Sequence, residues 1–523
     1  MQMTLKQKLY NYRYQIAVIF IIAVGVFVRV FRFGQVPAGF NQDEAFAAYE
    51  AYSLLNFGKD SAGYSFPTYF VSWGSGMNVL ESYLAIPFMW LFGCSEAVFR
   101  LPQLILSIIS MPVLYLLLKR LFDLKTAIVG LGLLAISPWH IMLSRWGLES
   151  NLAPAFLLFG FFFLIKGITQ NGYFLLSALF YGISLYSYSI TWLVVPLTLI
   201  GFGVYLLVSK VKVKISTVIL ACIILAVFAT PHILFLLINQ GLINEIKTSF
   251  ISIPKMVAMR SGEIALSNLF SAEVWKNLLS ILLYQNDGLN WNSIKEFGMF
   301  YTFNTVFFVL GMAKLINDIV IDIKNKRFSG SVMVIIGFLS SVFVSLIISG
   351  ANINKTNSLH FFTLVITAVG ICFVIYCGKF IKVKLTALIC LNLAAFALFC
   401  GFYFGEYSNA ISPEFRSGVG QAVEFVNDKN CQKVLVDKSI YHSQILFYDK
   451  TPQSVFEETV EYENYPSPYL CAKSFGKYTF DLQYDNIGGY DAYIISDGFA
   501  DWFASNNFDV YSFDCYAVAL PKE

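Results

Sequence analysis

Eleven apolar runs, most of them close to the length that crosses a bilayer, dominate this 523-residue chain. A membrane-spanning α-helix needs about 20 mostly apolar residues. Hydrophobic residues make up 57% of the chain and charged residues only 13%, which is more apolar sequence than a water-soluble core can bury. We therefore predict a polytopic α-helical membrane protein with about eleven spans, at residues 15–31, 97–118, 126–139, 151–166, 173–188, 190–208, 215–235, 300–321, 330–349, 358–377 and 385–404.

Lysine and arginine residues cluster in the short connections between these runs. Cytoplasmic loops of membrane proteins carry an excess of such residues. With eleven spans every cluster falls on the side of the N-terminus, which we predict to be cytoplasmic. No small-residue cleavage site follows the first run, so we predict an uncleaved first span. The clusters are Lys6/Lys8/Arg13, Lys119/Arg120/Lys125, Lys166, Lys210/Lys212/Lys214, Lys324/Lys326/Arg327 and Lys379/Lys382/Lys384.

The apolar run 79–92 tests this topology. Counting it as a twelfth span would move every later basic cluster to the outside. It has only about 14 residues, with Glu81 near its start and Pro87 in its middle, and runs of that length are more often interfacial. We therefore predict that 79–92 lies along the outer membrane face, within the first external loop.

The end of the chain differs in character. Residues 405–523 carry 18 Asp and Glu against 8 Lys and Arg, whereas the first 404 residues have a net charge of +13. We predict a membrane domain at 1–404 and a small extracytoplasmic α/β domain at 405–523, with a helix at 418–427. The predicted strands are 433–437, 445–448, 492–496 and 516–520, and the domain's cysteines, which permit a disulfide outside the cytoplasm, are Cys431, Cys471 and Cys515.

Two adjacent carboxylates, Asp43 and Glu44, follow the first span directly. They open a predicted helix at 41–56, where carboxylates are favoured by the helix dipole and the free backbone N–H groups. One interpretation is a simple helix cap. The other is a catalytic carboxylate at the outer membrane edge, because ionisable groups at membranes are costly and functional. In the second interpretation Asp43 is the general base or a metal ligand, and Glu44 supports the helix start.

The second predicted external loop contains Trp139, His140, Arg145 and Glu149. Arg145 and Glu149 are four residues apart, so on a helix they would share a face and form a local salt bridge. Alternatively, Glu149 joins Asp43 near a reaction centre, and Arg145 holds a phosphate through its guanidinium fork.

Two further polar stretches lie on the same predicted side. Asp287 sits among the turn-forming residues of 285–292, and Asn354 and Lys355 precede the span at 358–377. A turn and a snorkelling lysine are the structural interpretations. The functional one is that Asp287, Asn354 and Lys355 contact a substrate, with Lys355 beside an anionic head group.

No phosphate-binding glycine loop, dinucleotide fingerprint or nucleophile elbow occurs in the sequence. We expect no nucleotide cofactor and no nucleic-acid partner. An extracytoplasmic transferase would need a lipid-linked donor that has already been exported.

In order and spacing the motifs resemble the C-type membrane glycosyltransferases (the GT-C fold), in their family 39-like branch of protein O-mannosyltransferases and bacterial aminoarabinose transferases. The resemblance rests mainly on Pro37-x-Gly39-Phe40-Asn41-Gln42-Asp43-Glu44-Ala45, Arg100-Leu101-Pro102, Ser137-Pro138-Trp139-His140 and Ser144-Arg145-x-Gly147-Leu148-Glu149. It implies interfacial helices in the first external loop, a polyprenyl-phosphate sugar donor and an inverting transfer in a bacterial plasma membrane.

The resemblance also implies residue roles. Asp43 and Glu149 correspond to the acidic residues of the reaction centre, and some members bind a divalent metal there, so Mg²⁺ or Mn²⁺ is a candidate cofactor held by Asp43 and Glu149. The lysine with which bacterial relatives often meet the donor phosphate is missing from Gly74–Asn78. Arg145 or Lys355 is then the candidate phosphate contact, and Asn78, Trp139 and His140 are further candidate substrate-binding residues.

The predicted function is transfer of a sugar from a polyprenyl-phosphate donor to a hydroxyl of a glycan, lipid or protein acceptor at the bilayer surface. A transporter or flippase of lipid-linked glycans is one alternative, although such proteins usually have repeated halves and polar residues near the bilayer midplane. A non-catalytic scaffold of cell-wall assembly is the other alternative.

Overall fold

The computed structural model of the chain describes residues 5–259, 263–482 and 487–522, and the side chains of Lys6 and Lys8 lie outside the described part. The described residues before 405 are mainly helical. In chain order the helices of this part are α1 (Leu5–Val30), α2 (Gln42–Phe57), α3 (Leu80–Phe92), α4 (Glu96–Phe99), α5 (Leu101–Leu121), α6 (Leu124–Ile136), α7 (Pro138–Leu143), α8 (Glu149–Gly167), α9 (Tyr173–Ser184), α10 (Thr191–Val208), α11 (Ile215–Asn239), α12 (Ala272–Leu279), α13 (Thr305–Lys324), α14 (Gly330–Ile347), α15 (Asn357–Tyr376) and α16 (Ile381–Tyr403). A short hairpin of β1 (Ile246–Lys247) and β2 (Ser252–Ile253) precedes α12.

Each of the eleven predicted apolar runs coincides with a helix, which confirms a polytopic helical membrane protein. In the described part of the chain, eight helices are long and apolar enough to cross a bilayer: α1, α5, α8, α10, α11, α14, α15 and α16. The other three predicted spans correspond to α6, α9 and α13, which are shorter or more polar than a membrane-spanning helix. Helices α6 and α9 have 13 and 12 residues, or roughly 20 Å at 1.5 Å per residue. Helix α13 has 20 residues but carries charges in its second half.

Helix α3 corresponds to the predicted interfacial segment. Its 13 residues are too few for a span. It buries Ala85 and Met89 against the protein and leaves Trp90 and Phe92 exposed. A short apolar helix that is partly packed on the protein and has exposed aromatic residues at its end fits a position in the membrane interface.

The C-terminal part folds around a seven-stranded mixed sheet with the strand order β4-β5-β6-β3-β7-β9-β8. Strand β3 runs parallel to β6 and β7, and the β8–β9 hairpin adds antiparallel to β7. The elements of this part are α17 (Glu406–Ile411), α18 (Val419–Asp428), β3 (Val434–Val436), α19 (His442–Asp449), α20 (Gln453–Thr459), β4 (Glu461–Tyr462), β5 (Ala472–Phe475), β6 (Tyr478–Thr479), β7 (Ala492–Ser496), α21 (Ala500–Ser505), β8 (Phe508–Phe513) and β9 (Tyr516–Pro521).

Three of the four predicted strands and the predicted helix are confirmed, but residues 445–448 are helical. They belong to α19, whose first turn is fixed by the Gln444 side chain, which accepts a hydrogen bond from the Tyr441 backbone at 2.8 Å. A four-residue apolar run does not distinguish a strand from a buried helix turn. All nine cysteines fall within the described residues and are unbonded.

The C-terminal sheet shares one hydrophobic core with the first predicted external loop. Alternate residues of its strands point to opposite faces, and the face with Val434 and Ile494 joins α18, α19 and α2 in a single buried cluster. Two hydrogen bonds reinforce this contact: Tyr49 donates to the Thr451 carbonyl at 2.9 Å, and Gln444 donates to the Phe40 carbonyl at 3.1 Å. The domain is therefore packed directly on the helix that carries Asp43.

Candidate active site

Helix α2 begins with an Asn41 cap, so neither carboxylate of the Asp43–Glu44 pair is the capping residue. The Asn41 side chain accepts a hydrogen bond from the Asp43 backbone N–H at 3.2 Å. The two carboxylates then diverge. Asp43 lines a cavity and accepts a hydrogen bond from the Trp73 indole at 3.0 Å, whereas Glu44 points into the protein.

Glu44 forms a fully buried ion pair with Arg100. The Arg100 Nε and Nη2 atoms lie 2.6 and 2.7 Å from the two carboxylate oxygens, and both side chains have no exposed surface. The Gly147 N–H also donates to Glu44, at 2.6 Å. Glu44 therefore ties together three segments of the first two external loops and does not line the cavity.

The cavity beside Asp43 has a volume of about 390 Å³. The basic clusters in the sequence predict that every segment lining this cavity lies on the extracytoplasmic side. The polar and aromatic residues at its wall are Asn41, Gln42, Asp43, Trp146, Glu149, Ser150, Tyr188, Trp291, Asn352, Asn354, Lys355, Glu414, Arg416 and Tyr441, together with Leu148 and Leu289. Four of the residues predicted from the sequence thus meet here: Asp43, Glu149, Asn354 and Lys355.

Glu149 is the first residue of α8, where the partial positive charge of a helix start stabilises a carboxylate. Its side chain accepts a hydrogen bond from the Asn78 backbone N–H. The Asn78 side chain in turn donates to the Ser189 hydroxyl at 3.2 Å. Asn78 does not line the cavity, so the structure places it behind Glu149 as a support.

Lys355 reaches the cavity from the loop that leads into α15. Its Nζ lies 3.7 Å from the Glu263 carboxylate and 3.3 Å from the Ser349 carbonyl. Asp287 fixes this loop, because its Oδ2 accepts hydrogen bonds from the Ile353 N–H at 2.8 Å and from the Asn292 side chain at 2.7 Å. The structure therefore places Asp287 outside the cavity wall, as the residue that orients the lysine loop.

Arg145 is buried and its guanidinium donates to backbone carbonyls. It binds Val36, Arg29 and Arg32 at 2.7 to 2.9 Å and Val28 at 3.3 Å. Most of these carbonyls lie at and just after the end of α1, so Arg145 caps that helix. Arg145 does not line the cavity. Its guanidinium N–H groups donate to these carbonyls, so the side chain is not positioned for the predicted phosphate contact.

His140 and Trp139 also lie in the protein core rather than at the cavity. The His140 Nδ1 is 2.7 Å from the Arg29 guanidinium. The Trp139 ring packs edge-on against His360 at 5.0 Å. Their motif position in the sequence made them candidates for substrate binding. The structure buries both side chains away from the cavity.

Sequence reasoning did not single out Arg416 and Tyr441, which bring the C-terminal domain into the cavity wall. The Arg416 guanidinium carbon lies 5.6 Å above the Tyr441 ring. No local motif marks either residue. The only sequence signal is that Arg416 is the first basic residue of an acidic domain.

The residues around Asp43 and Glu149 do not form an all-protein metal site. Among the described residues no group of three or more His, Cys, Asp or Glu side chains is placed to hold a metal ion. Mg²⁺ is commonly bound by one or two carboxylates together with substrate phosphates. Asp43 and Glu149 would therefore hold such an ion only together with oxygens of the substrate.

Residues 78–235, from the start of α3 into α11, match the family model described as dolichyl-phosphate-mannose-protein mannosyltransferase. This match covers less than a third of the chain. Sequence comparison with curated proteins finds no match.

Solved structures of similar fold cover nearly the whole chain. ArnT from Cupriavidus metallidurans in the apo state aligns at a TM-score of 0.56 with 14% identity, covering 96% of this chain and 97% of that one. The same protein bound to undecaprenyl phosphate aligns at 0.57 with 12% identity and the same coverage. An oligosaccharyltransferase from Archaeoglobus fulgidus in complex with Zn and sulfate aligns at 0.52 with 12% identity, covering 93% of this chain and 69% of that one. The resemblance drawn from the motifs is thereby confirmed: this chain has the GT-C fold of the membrane glycosyltransferases, in the arrangement of ArnT with its C-terminal domain.

Proposed function

We propose that the chain transfers a sugar from a polyprenyl-phosphate donor to an acceptor hydroxyl at the extracytoplasmic face of a bacterial plasma membrane. The observation that carries the proposal is the cavity that joins Asp43, Glu149 and Lys355 at one end of the spans. The matched family model, the ArnT-like fold and the undecaprenyl phosphate in the similar ArnT structure support it. The basic clusters support the sidedness, since all cavity segments come from loops predicted outside.

The proposed reaction is a single displacement with inversion. The acceptor oxygen attacks the anomeric carbon of the donor sugar and transfers its proton to the Asp43 carboxylate. The bond between the anomeric carbon and the phosphate oxygen breaks, and its electron pair leaves with the polyprenyl phosphate. General-base assistance of this kind contributes about 10²–10⁴-fold.

The other cavity residues have supporting roles in this mechanism. The Lys355 ammonium faces the phosphate and stabilises the charge that develops on the leaving group. The Trp73 indole holds the Asp43 carboxylate in place through its hydrogen bond. Glu149, held by the Asn78 backbone, accepts hydrogen bonds from sugar hydroxyls. No step passes through a metal ion.

The test uses the full-length chain in lipid nanodiscs with polyprenyl-phosphate mannose as donor and a soluble glycoside as hydroxyl acceptor, and it follows release of polyprenyl phosphate. Asp43→Asn is expected to lower the rate by about 10²–10⁴-fold. Glu424→Gln, at an exposed carboxylate of α18, is the matched control and should retain the wild-type rate. Wild-type turnover by Asp43→Asn would remove Asp43 from the centre. Absence of release with every polyprenyl-phosphate sugar tested would contradict the transferase itself.

A further inference from the structure

Arg416 lies on a loop that packs tightly against the turn before α2. The loop follows α17, and its backbone passes the turn before α2 so closely that a Cβ on Gly39 would lie 2.2 Å from the Phe415 carbonyl oxygen. Gly39 also has a φ of +79°, a conformation that favours glycine. The neighbouring Arg416 is therefore held at a fixed place in the cavity wall.

The Arg416 side chain is held in place by backbone carbonyls. Its Nε donates to the Ser439 carbonyl at 2.7 Å and its Nη1 to the Pro413 carbonyl. Both partners are neutral. Within the described part of the chain no Asp or Glu forms an ion pair with Arg416, although the Glu414 carboxylate lines the same cavity. In contrast, Lys355 lies 3.7 Å from Glu263.

The two cations reach the cavity from separate parts of the chain. Lys355 stands two residues before α15, a helix long and apolar enough to cross a bilayer. Arg416 comes from the loop before α18 and its guanidinium lies over the Tyr441 ring, which belongs to the C-terminal domain. The proposed function assigns the donor phosphate to Lys355, so the Arg416 guanidinium is left for another anion.

We propose that Arg416 binds an anionic group, a phosphate or a carboxylate, of the acceptor, so that the C-terminal domain supplies the acceptor subsite. Guanidinium is the side chain that best matches the planar, paired oxygens of these groups. The assignment of this anion to the acceptor rests on the proposed function; the anion-binding role of Arg416 does not.

The test measures binding and does not depend on turnover. The full-length protein in nanodiscs is first saturated with undecaprenyl phosphate, which fills the Lys355 side. It is then titrated calorimetrically with mannose 6-phosphate, glucuronate and mannose, so that the phosphate, carboxylate and neutral arms are separate. The variants are Arg416→Gln, the charge-conserving Arg416→Lys and, as a matched control, Lys473→Gln at an exposed lysine of the same domain.

The wild type is expected to bind at least one anionic sugar about tenfold or more tightly than mannose, as a charge-assisted hydrogen bond provides. Arg416→Gln should abolish this preference, Arg416→Lys should retain most of it, and Lys473→Gln should leave it unchanged. All variants should bind undecaprenyl phosphate like the wild type, which also shows that they are folded.

Two results would overturn the inference. The first is an undiminished preference for anionic sugars in Arg416→Gln. The second is a weaker affinity of this variant for undecaprenyl phosphate with unchanged sugar binding, which would assign Arg416 to the donor. Failure of the transferase proposal is recognised separately, by the absence of polyprenyl phosphate release in the turnover assay.

Discussion

The Trp73 indole nitrogen donates a 3.0 Å hydrogen bond to the Asp43 carboxylate, and the same ring is stacked on Tyr469 of the C-terminal domain at 5.1 Å. Trp73 is almost fully buried, and its carbonyl accepts a hydrogen bond from the Leu470 N–H at 2.7 Å. The orientation of the proposed base therefore depends on a residue that the distal domain holds.

We predict that Trp73→Phe moves the acidic limb of the pH–rate profile to higher pH, by about one pH unit. A hydrogen bond to a charged group contributes about 1.5–3 kcal/mol, and its loss disfavours the ionised carboxylate. The stacking on Tyr469 is kept, so donor KM should change little. Trp90→Phe, at an exposed indole of α3, is the control, and an unshifted limb in Trp73→Phe would contradict the coupling.

Glu44→Gln should destabilise the protein by about 3–5 kcal/mol, because it leaves the buried Arg100 charge without its partner. Unfolding in detergent, followed by circular dichroism, measures this effect. The specific activity of the folded fraction should remain near that of the wild type, since Glu44 does not line the cavity.

Asp481→Asn is the matched comparison, because it breaks an exposed ion pair with Lys438. Exposed pairs contribute about 0–1 kcal/mol, so its unfolding should hardly change. A stable Glu44→Gln variant with greatly reduced turnover would instead make Glu44 catalytic.

Lys355→Gln should weaken undecaprenyl phosphate binding by about tenfold or more, since a charge-assisted contact is lost. Lys355→Arg should recover part of the affinity. The measurement is a titration of the full-length protein with undecaprenyl phosphate. Lys295→Gln, at an exposed lysine of the neighbouring external segment, should bind as the wild type does, and equal affinity in Lys355→Gln would shift the phosphate contact elsewhere.

The buried carboxyls of Glu50 and Asp60 should make stability depend on pH. Burial raises the pKa of both, that of Asp60 from 3.8 to about 7. A carboxyl whose folded pKa is raised contributes stability that is fully present below its unfolded pKa and is lost as the pH rises through the folded pKa. The apparent melting temperature should therefore fall between about pH 4 and pH 7.

Asp60→Asn should flatten this dependence, because its side chain keeps an oxygen for the Ala62 and Tyr64 N–H groups but cannot ionise. Asp428→Asn, at an exposed position of α18, should retain the wild-type pH profile. A wild-type profile in Asp60→Asn would show that another group titrates.

We expect EDTA to leave transfer unaffected, since among the described residues no group of three or more His, Cys, Asp or Glu side chains is placed to hold a metal ion. The assay is polyprenyl phosphate release with and without the chelator. Loss of activity that Mg²⁺ or Mn²⁺ restores would show that substrate or backbone oxygens complete a metal site.

Hydropathy predicted the helical membrane body correctly, because the apolar runs are local in sequence. The sidedness drawn from the basic clusters stays a prediction. Asp43, Glu149 and Lys355 were also found locally, at the ends of apolar runs. The surroundings of Arg145 could not be predicted locally, because its guanidinium donates to carbonyls more than 100 residues away. Arg416 escaped notice because its position depends on the packing of the turn at Gly39 against a loop almost 400 residues later.

The shared core of α2 and the C-terminal sheet has a consequence for biosynthesis. The ribosome makes Asp43 near the start of the chain, but Arg416, Tyr441 and Tyr469 emerge only after α16, the last long apolar helix. Nascent chains and products truncated before residue 412 therefore lack one wall of the cavity. The cavity therefore becomes complete only when the C-terminal domain has been made and has packed on α2.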